Sequence, residues 1–498
     1  MTACAALAVA LAAPASASAA GAAVTPVTAR AQATAFSSQQ AAPTTAPARV
    51  RTDFNNDGYD DLVVAAPGEG TGSVAHTGAI TVIPGSKTGL VGTQSTIWTP
   101  CTIGVPGPCA ANDRWGTTYA VGDFNGDGYS DIAVSAPQSI GTAALAGSVT
   151  ILYGSAHGLT TKGARLLAGT VVGVPGAQRP FSLFGSSLAA GDFDGDGYSD
   201  LAIGVPGATI AGHASAGMVI IVRGSKTGLS TNGRVLAQGT SGAAGTPTAG
   251  NAFGQVLLAD DIDADYHTDL VVGMPHADLP GAVDAGEIYR FWGSAKGLTT
   301  TNQAVVTGPA VAHRELGAAL AGPPGGVIYA SAPGNGATPA DVDEVTAGRA
   351  SPSVMFTAYT DSNAKDDYGL ALLGANLGIH FNHSLVIGSP GYDGTGKVDA
   401  FDHHDIDHVI TEAQTAPTAG GAPEFGVSLA SGDYNGDGSP DLVIGEPGAT
   451  VSGVAGAGQL GVMYSNGVGP DRSMTQVWNQ ESAGVPSGSE PGDNWGYV

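Results

Sequence analysis

Positive charge and long apolar runs are both scarce in this sequence of 498 residues. Lys and Arg together number 18 against 43 Asp and Glu, which gives a formal net charge of −25. Nucleic acids and anionic membranes are bound by basic faces, so neither is expected as a partner. No apolar run reaches the roughly 18 residues of a membrane-spanning helix, so no membrane span is predicted.

Uninterrupted helix-forming stretches are also missing. The 77 Gly and 30 Pro recur every few residues, and both destabilise the interior of a helix. Hydrophobic residues make up 43 % of the chain, which is enough for a buried core and argues against general disorder. The composition therefore predicts an acidic, folded protein that is rich in β-strands.

The N-terminal region has the pattern of an export signal without its usual basic start. Residues 4–13 are apolar, and the small residues that follow Pro14 allow cleavage after Ala17 or Ala19. Residues 20–48 are rich in Ala, Thr and Pro and have no period. We predict a signal peptide at 1–19, a disordered spacer at 20–48 and one folded domain at 49–498, in a secreted protein that is extracellular or associated with the cell wall.

Cysteine is nearly absent, with three residues in the chain. Cys4 lies in the predicted signal peptide, so the mature protein keeps Cys101 and Cys109 as a pair. In an oxidising compartment this pair is expected to form a disulfide. A metal site is the weaker alternative, because two thiolates without further His or Cys nearby cannot complete a tetrahedral shell.

An internal repeat dominates the rest of the sequence. Five acidic segments, at 53–61, 123–131, 192–200, 261–269 and 433–441, share one frame of alternating Asp or Asn. Each leads into a short apolar strand that ends at a proline, and two further strands of this kind occur without an acidic segment. The seven prolines are Pro67, Pro137, Pro206, Pro275, Pro333, Pro390 and Pro447.

The two ends of the domain complement each other. An aromatic-Gly pair precedes four of the acidic segments, but the first segment lacks one. The last four residues, from Trp495 to Val498, supply such a pair without a repeat of their own, and residues 49–52 match the positions that follow it. Short-stranded units must stack to bury their faces, and a ring removes exposed end units. We therefore predict an all-β, seven-bladed β-propeller closed by the C-terminal strand.

This order of motifs resembles the FG-GAP repeat of integrin α-subunit propellers and their secreted bacterial relatives. The motifs are an aromatic-Gly pair such as Phe184-Gly185, an acidic loop, an apolar strand ending at Gly-x-Pro, and a turn such as Gly224-SKTGL. The resemblance covers about nine-tenths of the chain. It implies a propeller fold, calcium in the acidic loops and an extracellular location. The fifth and sixth units lack the acidic loop, and a role as a signalling receptor is not implied.

The acidic loops also predict calcium from their own chemistry. Side chains at positions one, three and five converge when the backbone turns tightly at the glycine of position six, position seven offers a carbonyl oxygen, and position nine closes the shell. Oxygen ligands in this number favour calcium, so four to five ions are expected. The alternative is that the segments only form Asx turns. The predicted ligands are Asp53, Asn55, Asp57, Tyr59 and Asp61; Asp123, Asn125, Asp127, Tyr129 and Asp131; Asp192, Asp194, Asp196, Tyr198 and Asp200; Asp261, Asp263, Asp265, His267 and Asp269; and Asp433, Asn435, Asp437, Ser439 and Asp441.

Three features leave questions about function. Tyr266 replaces the glycine of position six in the fourth loop, which predicts weaker calcium binding there. The segment from Asp402 to His408 contains three His and could be a metal site or a solvated hairpin tip. Five Trp could stack on sugars, although a place in the repeat core explains most of them better. These are Trp98, Trp115, Trp292, Trp478 and Trp495.

Two functional classes remain open at this point. The first is a monomeric adhesion or ligand-binding module for an extracellular protein or polysaccharide. The second is an extracellular hydrolase or lyase that acts on polysaccharide or lipid at a site on the propeller. No nucleophile elbow, zinc-protease helix or phosphate-binding loop is present in the sequence. The binding module is therefore the preferred prediction.

Overall fold

Seven antiparallel sheets account for the strands of the computed structural model. It describes residues 51–137, 144–174, 177, 179–239, 242–301, 303–322, 327–334, 340–346, 359–361, 367–375, 377, 384–402, 405–411, 424–465 and 469–498. The predicted signal peptide and spacer lie outside these residues, as do His403 and His404. Within each sheet the strands pair in chain order, and each sheet is one blade of the propeller.

The first four blades follow the spacing of the repeats. Blade one contains β1 (Leu62–Ala66), β2 (Ala79–Ile83) and β3 (Thr96–Trp98). Blade two contains β4 (Tyr119–Gly122), β5 (Asp131–Ala136), β6 (Ser148–Tyr153) and β7 (Thr160–Leu167). Blade three contains β8 (Leu188–Gly191), β9 (Asp200–Val205), β10 (Met218–Val222) and β11 (Gly233–Leu236). Blade four contains β12 (Val256–Asp260), β13 (Asp269–Met274), β14 (Glu287–Phe291) and β15 (Ala304–Thr307).

The last three blades include the two units without acidic loops. Blade five contains β16 (Leu320–Ala321), β17 (Val327–Ala332), β18 (Ala340–Thr346) and β19 (Tyr359–Asp361). Blade six contains β20 (Ala371–Ala375), β21 (Ser384–Ser389), β22 (Lys397–Asp402) and β23 (Asp405–Thr411). Blade seven contains β24 (Ser428–Gly432), β25 (Asp441–Glu446), β26 (Gln459–Ser465) and β27 (Pro470–Trp478).

Helical structure is minimal in the described part of the chain. It consists of two short 3-10 turns, at Gly92–Gln94 and Tyr392–Gly394. Neither has the length or the apolar character that a helix crossing a bilayer requires. The recurrent Gly and Pro explain this result, because they interrupt every stretch that could extend a helix.

The apolar core is divided among the interfaces between neighbouring blades. Seven buried clusters occur, one for each pair of adjacent blades, including the pair formed by blades seven and one. The predicted apolar segments before the prolines form the second strand of each blade, and their side chains alternate between the two flanking clusters. This division follows from the period of two along a strand, which gives a blade two buried faces.

The C-terminal residues close the ring. The Ala65 amide donates to the Tyr497 carbonyl at 2.7 Å, so the C-terminal segment pairs with β1 and supplies the inner edge of blade one. Trp495 and Val498 are buried in the cluster that joins blades seven and one. The predicted seven-bladed propeller with C-terminal closure is therefore confirmed.

The connection between blades one and two carries the disulfide. Cys101 and Cys109 are bonded, with their Cα atoms 5.0 Å apart. Val105, which lies inside the bridged loop, packs on the cluster between these two blades. The predicted disulfide is confirmed, and it holds a loop whose apolar residue contributes to an interface between blades.

Candidate metal-binding loops

Four of the acidic segments form the turns between the first and second strands of their blades, and the segment of blade one leads directly into β1. We name them by blade: loop one (53–61), loop two (123–131), loop three (192–200), loop four (261–269) and loop seven (433–441). Their residues are numbered from position one to position nine. Because each loop ends where the second strand begins, all five lie at the same end of five consecutive blades.

The carboxylate at position one is turned into its own loop. Asp53 accepts the backbone amides of Asp57 at 3.1 Å and Gly58 at 2.9 Å, which are positions five and six. The Asp at position one of the other four loops accepts the same two amides, at 2.9 to 3.2 Å. These bonds wrap the backbone tightly around the side chain, as the spacing predicts.

The side chains at positions three and five point to the same place. In loops three and four, carboxylate oxygens from positions one, three and five lie within 4.8 Å of one another. The two sets are Asp192, Asp194 and Asp196, and Asp261, Asp263 and Asp265. In loops one, two and seven the Asn at position three accepts the amide of position five at 2.8 to 3.0 Å. In loops three and four the structure therefore brings together three of the five predicted ligands.

The other two predicted ligands have additional contacts. The amide of position seven donates to the carboxylate of position five at 2.9 to 3.1 Å in every loop. The position-nine carboxylate is buried. In loop two, Asp131 accepts the amides of Phe124 and Gly154, both at 2.9 Å. Gly154 begins the repeated turn after the third strand, so position nine connects the loop to the rest of its blade.

Burial and like charge act together on position nine. Burial raises the pKa of this carboxyl to about 8 in all five loops, and the acidic side chains of the same loop shift the pKa in the same direction. Backbone N–H donors oppose the shift. A cation held by the loop would favour the ionised form of these groups.

Neighbouring loops are bonded to one another across the blades. The amide of position eight donates to the carbonyl of position one in the preceding loop, for example from Ser130 to Asp53 at 3.2 Å. The same contact links loops seven to one, two to three and three to four, at 2.8 to 3.1 Å. The five loops therefore form one continuous chain, which begins at blade seven and ends at blade four.

Positive φ occurs at position four as well as at the predicted position six. Position four is Gly in loops two, three and seven, but Asn56 in loop one and Ala264 in loop four. A Cβ on Gly436 would lie 2.5 Å from Cε1 of Tyr59 in the next loop, so glycine also allows this close contact. Loop four has non-Gly residues at both positions, with φ of 58° at Ala264 and 70° at Tyr266. The recurrence of glycine at position four is a signal that sequence reasoning missed.

Three arginines near the loops were also missed. Arg51 contacts Asp60 of loop one, with Nε 2.9 Å from Oδ1, and Arg223 contacts Asp194 of loop three, with Nη1 2.7 Å from Oδ2. Arg290 on β14 is fully buried. Burial lowers the pKa of Arg290 to about 10, and the negative charge of Asp269 in loop four opposes this decrease.

The tryptophans are mainly core residues. Trp115, Trp292, Trp478 and Trp495 are all buried in clusters between blades, while Trp98 is half-buried. Stacking of a sugar on the four buried rings would require the interfaces to open.

The His-rich segment spans the hairpin of β22 and β23, and its first two His lie outside the described residues.

Comparison with protein families identifies the repeat. The FG-GAP repeat matches residues 50–83, 115–152, 184–222 and 425–463. The chain is an FG-GAP repeat β-propeller. The matched stretches belong to blades one, two, three and seven, whose loops have glycine at position six; blade four, with Tyr266, is not among them.

The curated relatives align with about a third of the length of this FG-GAP chain. Integrin alpha-PS5 of Drosophila melanogaster is 37 % identical over 163 residues, and integrin alpha-8 of Homo sapiens is 34 % identical over 165 residues. Each match covers 32 % of this chain and 14 % of the integrin. Phosphatidylinositol-glycan-specific phospholipase D of Bos taurus is 34 % identical over 161 residues, which cover 32 % of this chain and 18 % of that protein. The chain thus matches less than a fifth of the length of these relatives.

Proposed function

We propose that this chain is a secreted, calcium-binding FG-GAP propeller that acts as an adhesion or ligand-binding module for an extracellular protein or polysaccharide. The observation that carries the proposal is the convergence of three carboxylates in loop three and in loop four, which share their sequence frame with loops one, two and seven at the same end of five consecutive blades. Oxygen donors at flexible distances suit calcium better than transition metals. The disulfide between Cys101 and Cys109 supports an oxidising, extracellular location.

Each loop would hold calcium through the same five positions. In loop three these are the carboxylates of Asp192, Asp194 and Asp196, the carbonyl of Tyr198 and the carboxylate of Asp200. Bound calcium would supply positive charge to a cluster of negative groups and so stabilise the folded loop. The remaining four loops use the corresponding ligands, and the weaker binding predicted for loop four, with Tyr266 at position six, makes the number four to five ions per chain.

Removal of calcium tests this part of the proposal. Excess chelator should lower the melting temperature of the purified chain, and millimolar calcium should restore it, because affinities near 10⁻⁴ to 10⁻³ M are typical of extracellular modules. Magnesium at the same concentration is the control for ionic strength. A melting curve that does not respond to chelator or to calcium would contradict calcium binding as a structural role.

The ligand-binding role rests on the geometry of a propeller. Loops at the ends of the blades are held on a rigid scaffold, which is where binding residues are commonly placed. Screening of the calcium-loaded chain against immobilised glycans and extracellular proteins tests this role, with the chelated chain as control. Binding of one ligand class that requires calcium is the expected result. A chain that binds neither class would contradict an adhesion function.

An extracellular hydrolase or lyase is the second candidate. The similarity to phosphatidylinositol-glycan-specific phospholipase D favours it, although the match covers 18 % of that protein. Incubation of the chain with glycosylphosphatidylinositol and with polysaccharides, followed by product analysis, distinguishes the two functions. Release of a product that depends on the intact chain would favour catalysis over binding alone.

A further inference from the structure

The five acidic loops differ in how many carboxylates they contain. Loops two and seven have three, because position three is Asn and position eight is not acidic. Loop one has a fourth carboxylate, Asp60, at position eight. Loops three and four have a fourth one at position three, where Asp194 and Asp263 replace Asn. Calcium affinity depends on the number of charged ligands, so these differences would make the loops unequal if nothing compensated for them.

The extra carboxylate of loop one is paired with an arginine. Arg51 Nε lies 2.9 Å from Asp60 Oδ1, and the side chain of Asp60 is 5 % exposed. Arg51 also donates from Nη2 to the carbonyl of Gly58 at 2.8 Å, so its guanidinium is held against the loop by two contacts. Loop one therefore has the same net formal charge as loop two.

The extra carboxylate of loop three is paired in the same way from a different part of the blade. Arg223 follows β10 and places Nη1 2.7 Å from Asp194 Oδ2. The Asp194 side chain is 3 % exposed, and its second oxygen, Oδ1, is buried without a hydrogen bond from any described residue. Arg223 also donates from Nη2 to the carbonyl of Lys296 in blade four at 2.8 Å. The guanidinium of Arg223 thus pairs with Oδ2 of Asp194 and leaves Oδ1 available to bind a cation in the loop.

Loop four has a buried arginine in its own blade. Arg290 occupies a position on the third strand that is Val82, Ile151, Ile221 and Val462 in blades one, two, three and seven. All three guanidinium nitrogens of Arg290 are buried, and none of them donates a hydrogen bond to a described residue. Its Cζ lies 5.7 Å from the centre of the Trp292 ring, and the negative charge of Asp269 in loop four opposes the decrease that burial causes in the pKa of Arg290. A buried cation thus replaces an aliphatic residue in a blade whose loop has one carboxylate more than loops two and seven.

We propose that Arg51 and Arg223 set the calcium affinity of loops one and three by cancelling the one carboxylate that each of these loops has in excess of three. Loops one, two, three and seven then each have a formal charge of −3, although their numbers of acids differ. The inference rests on the proposed calcium-binding function. A unit charge about 6 Å from a divalent ion changes its binding roughly tenfold even in a water-like dielectric, so Arg51 and Arg223 keep loops one and three within the affinity range of loops two and seven.

Loop three offers the sharpest test, because Arg223 is half exposed and its replacement should not prevent folding. Hydrogen–deuterium exchange of the full chain is measured across a calcium titration, and the midpoint of protection is determined for peptides covering 192–200 and 123–131. Arg223→Gln should lower the midpoint of loop three about tenfold, and Asp194→Asn should raise it by a similar factor. The double variant, which has the charge of loops two and seven, should return to within about threefold of the parent chain.

Controls separate charge from other effects. Loop two in the same samples should keep its midpoint. Arg165→Gln removes an arginine that contacts the carbonyls of Thr227 and Leu229, and it should leave loop three unchanged. Equal midpoints in the parent, Arg223→Gln and Asp194→Asn would overturn the inference while leaving calcium binding intact. Absence of calcium-dependent protection in every loop of the parent chain would instead overturn the proposed function.

Discussion

Blades seven, one, two, three and four have acidic loops, whereas blades five and six do not. Both groups nevertheless have apolar cores of the same kind. Ile328 in β17 and Ile387 in β21 are fully buried, like Val134 and Ile203 in the loop-bearing blades. The polar contacts differ. In the loop-bearing blades, hydrogen bonds from backbone amides to carbonyls join successive loops. The described parts of blades five and six contain ion pairs, such as Arg314 with Asp343 and Lys397 with Asp399.

A blade of this propeller therefore does not need an acidic loop to form its sheet or its interfaces. Strand formation depends on the apolar segment before each proline, and that segment persists in all seven blades. The loops therefore provide something in addition to the core, namely clusters of negative charge and a set of bonds between blades. Stability in the two regions should respond differently to calcium, and the following experiments test that difference.

The largest expected effect is in blade five. Arg314 Nη2 lies 2.5 Å from Asp343 Oδ2, and both side chains are buried. Arg314→Met leaves a buried carboxylate without its partner, so it should lower the free energy of unfolding by about 3–5 kcal/mol. Urea denaturation measures the loss, which should be equal with calcium and with chelator. The matched control is the double variant Arg314→Met with Asp343→Leu, which should recover most of the stability; a loss that appears only in calcium would contradict the assignment.

Position nine of loop two should come next in size. Asp131→Ala removes the acceptor of two buried amides, those of Phe124 and Gly154, and should cost about 2–4 kcal/mol even in chelator. Asp127→Ala, at the exposed position five, should cost less than about 1 kcal/mol in chelator and distinctly more in calcium. Denaturant unfolding of both variants under both conditions separates the two roles. Equal losses for the two variants in chelator would show that position nine has no structural role of its own.

Much of the fold could be predicted from the sequence, because the repeat places each motif in register. The strand before each proline, the ring closed by Tyr497 and the disulfide all follow from spacing and from the chemistry of these residues. The bonds between loops could not be predicted, since they join residues that are far apart in the chain, such as Asp53 and Ser130, which are 77 positions apart. Likewise, the pairing of Arg223 with Asp194 depends on the direction of a side chain on another strand, for which the sequence contains no periodic signal.

A smaller effect should distinguish loop three from loop four. Tyr266 has φ of 70°, a conformation that costs a non-Gly residue about 1 kcal/mol. Tyr266→Gly should therefore stabilise the chain by about that amount. Gly197→Ala is the matched change at position six of loop three, where φ is 88° and a Cβ would have no other atom within 4 Å, and it should destabilise by a similar amount. Thermal unfolding in calcium measures both, and the same sign for both variants would contradict the argument from turn geometry.

A pH-dependent effect concerns an acid outside the loops, where the C-terminal residues meet blade one. Glu69 accepts a hydrogen bond from Gln480 at 2.6 Å. Burial raises its pKa to about 8, and the charges of Asp493 and Glu490 add to the increase. Because the folded-state pKa exceeds the unfolded value, the contribution of Glu69 to stability is present below about pH 4.5 and is lost as the pH rises towards 8. In saturating calcium, Glu69→Gln should remove this part of the pH dependence, while Glu481→Gln, at a carboxyl that accepts the exposed amide of Ser489, should not.

We expect calcium to stabilise the loop-bearing blades and not the other two. Hydrogen–deuterium exchange of the full chain, compared between saturating calcium and excess chelator, tests it most directly. Chelation should increase exchange in loops seven, one, two, three and four and in the turns to which position nine is bonded, while β17 and β21 should keep their protection. Equal exchange under both conditions, or an increase that is as large in β17 and β21 as in the loops, would contradict the claim.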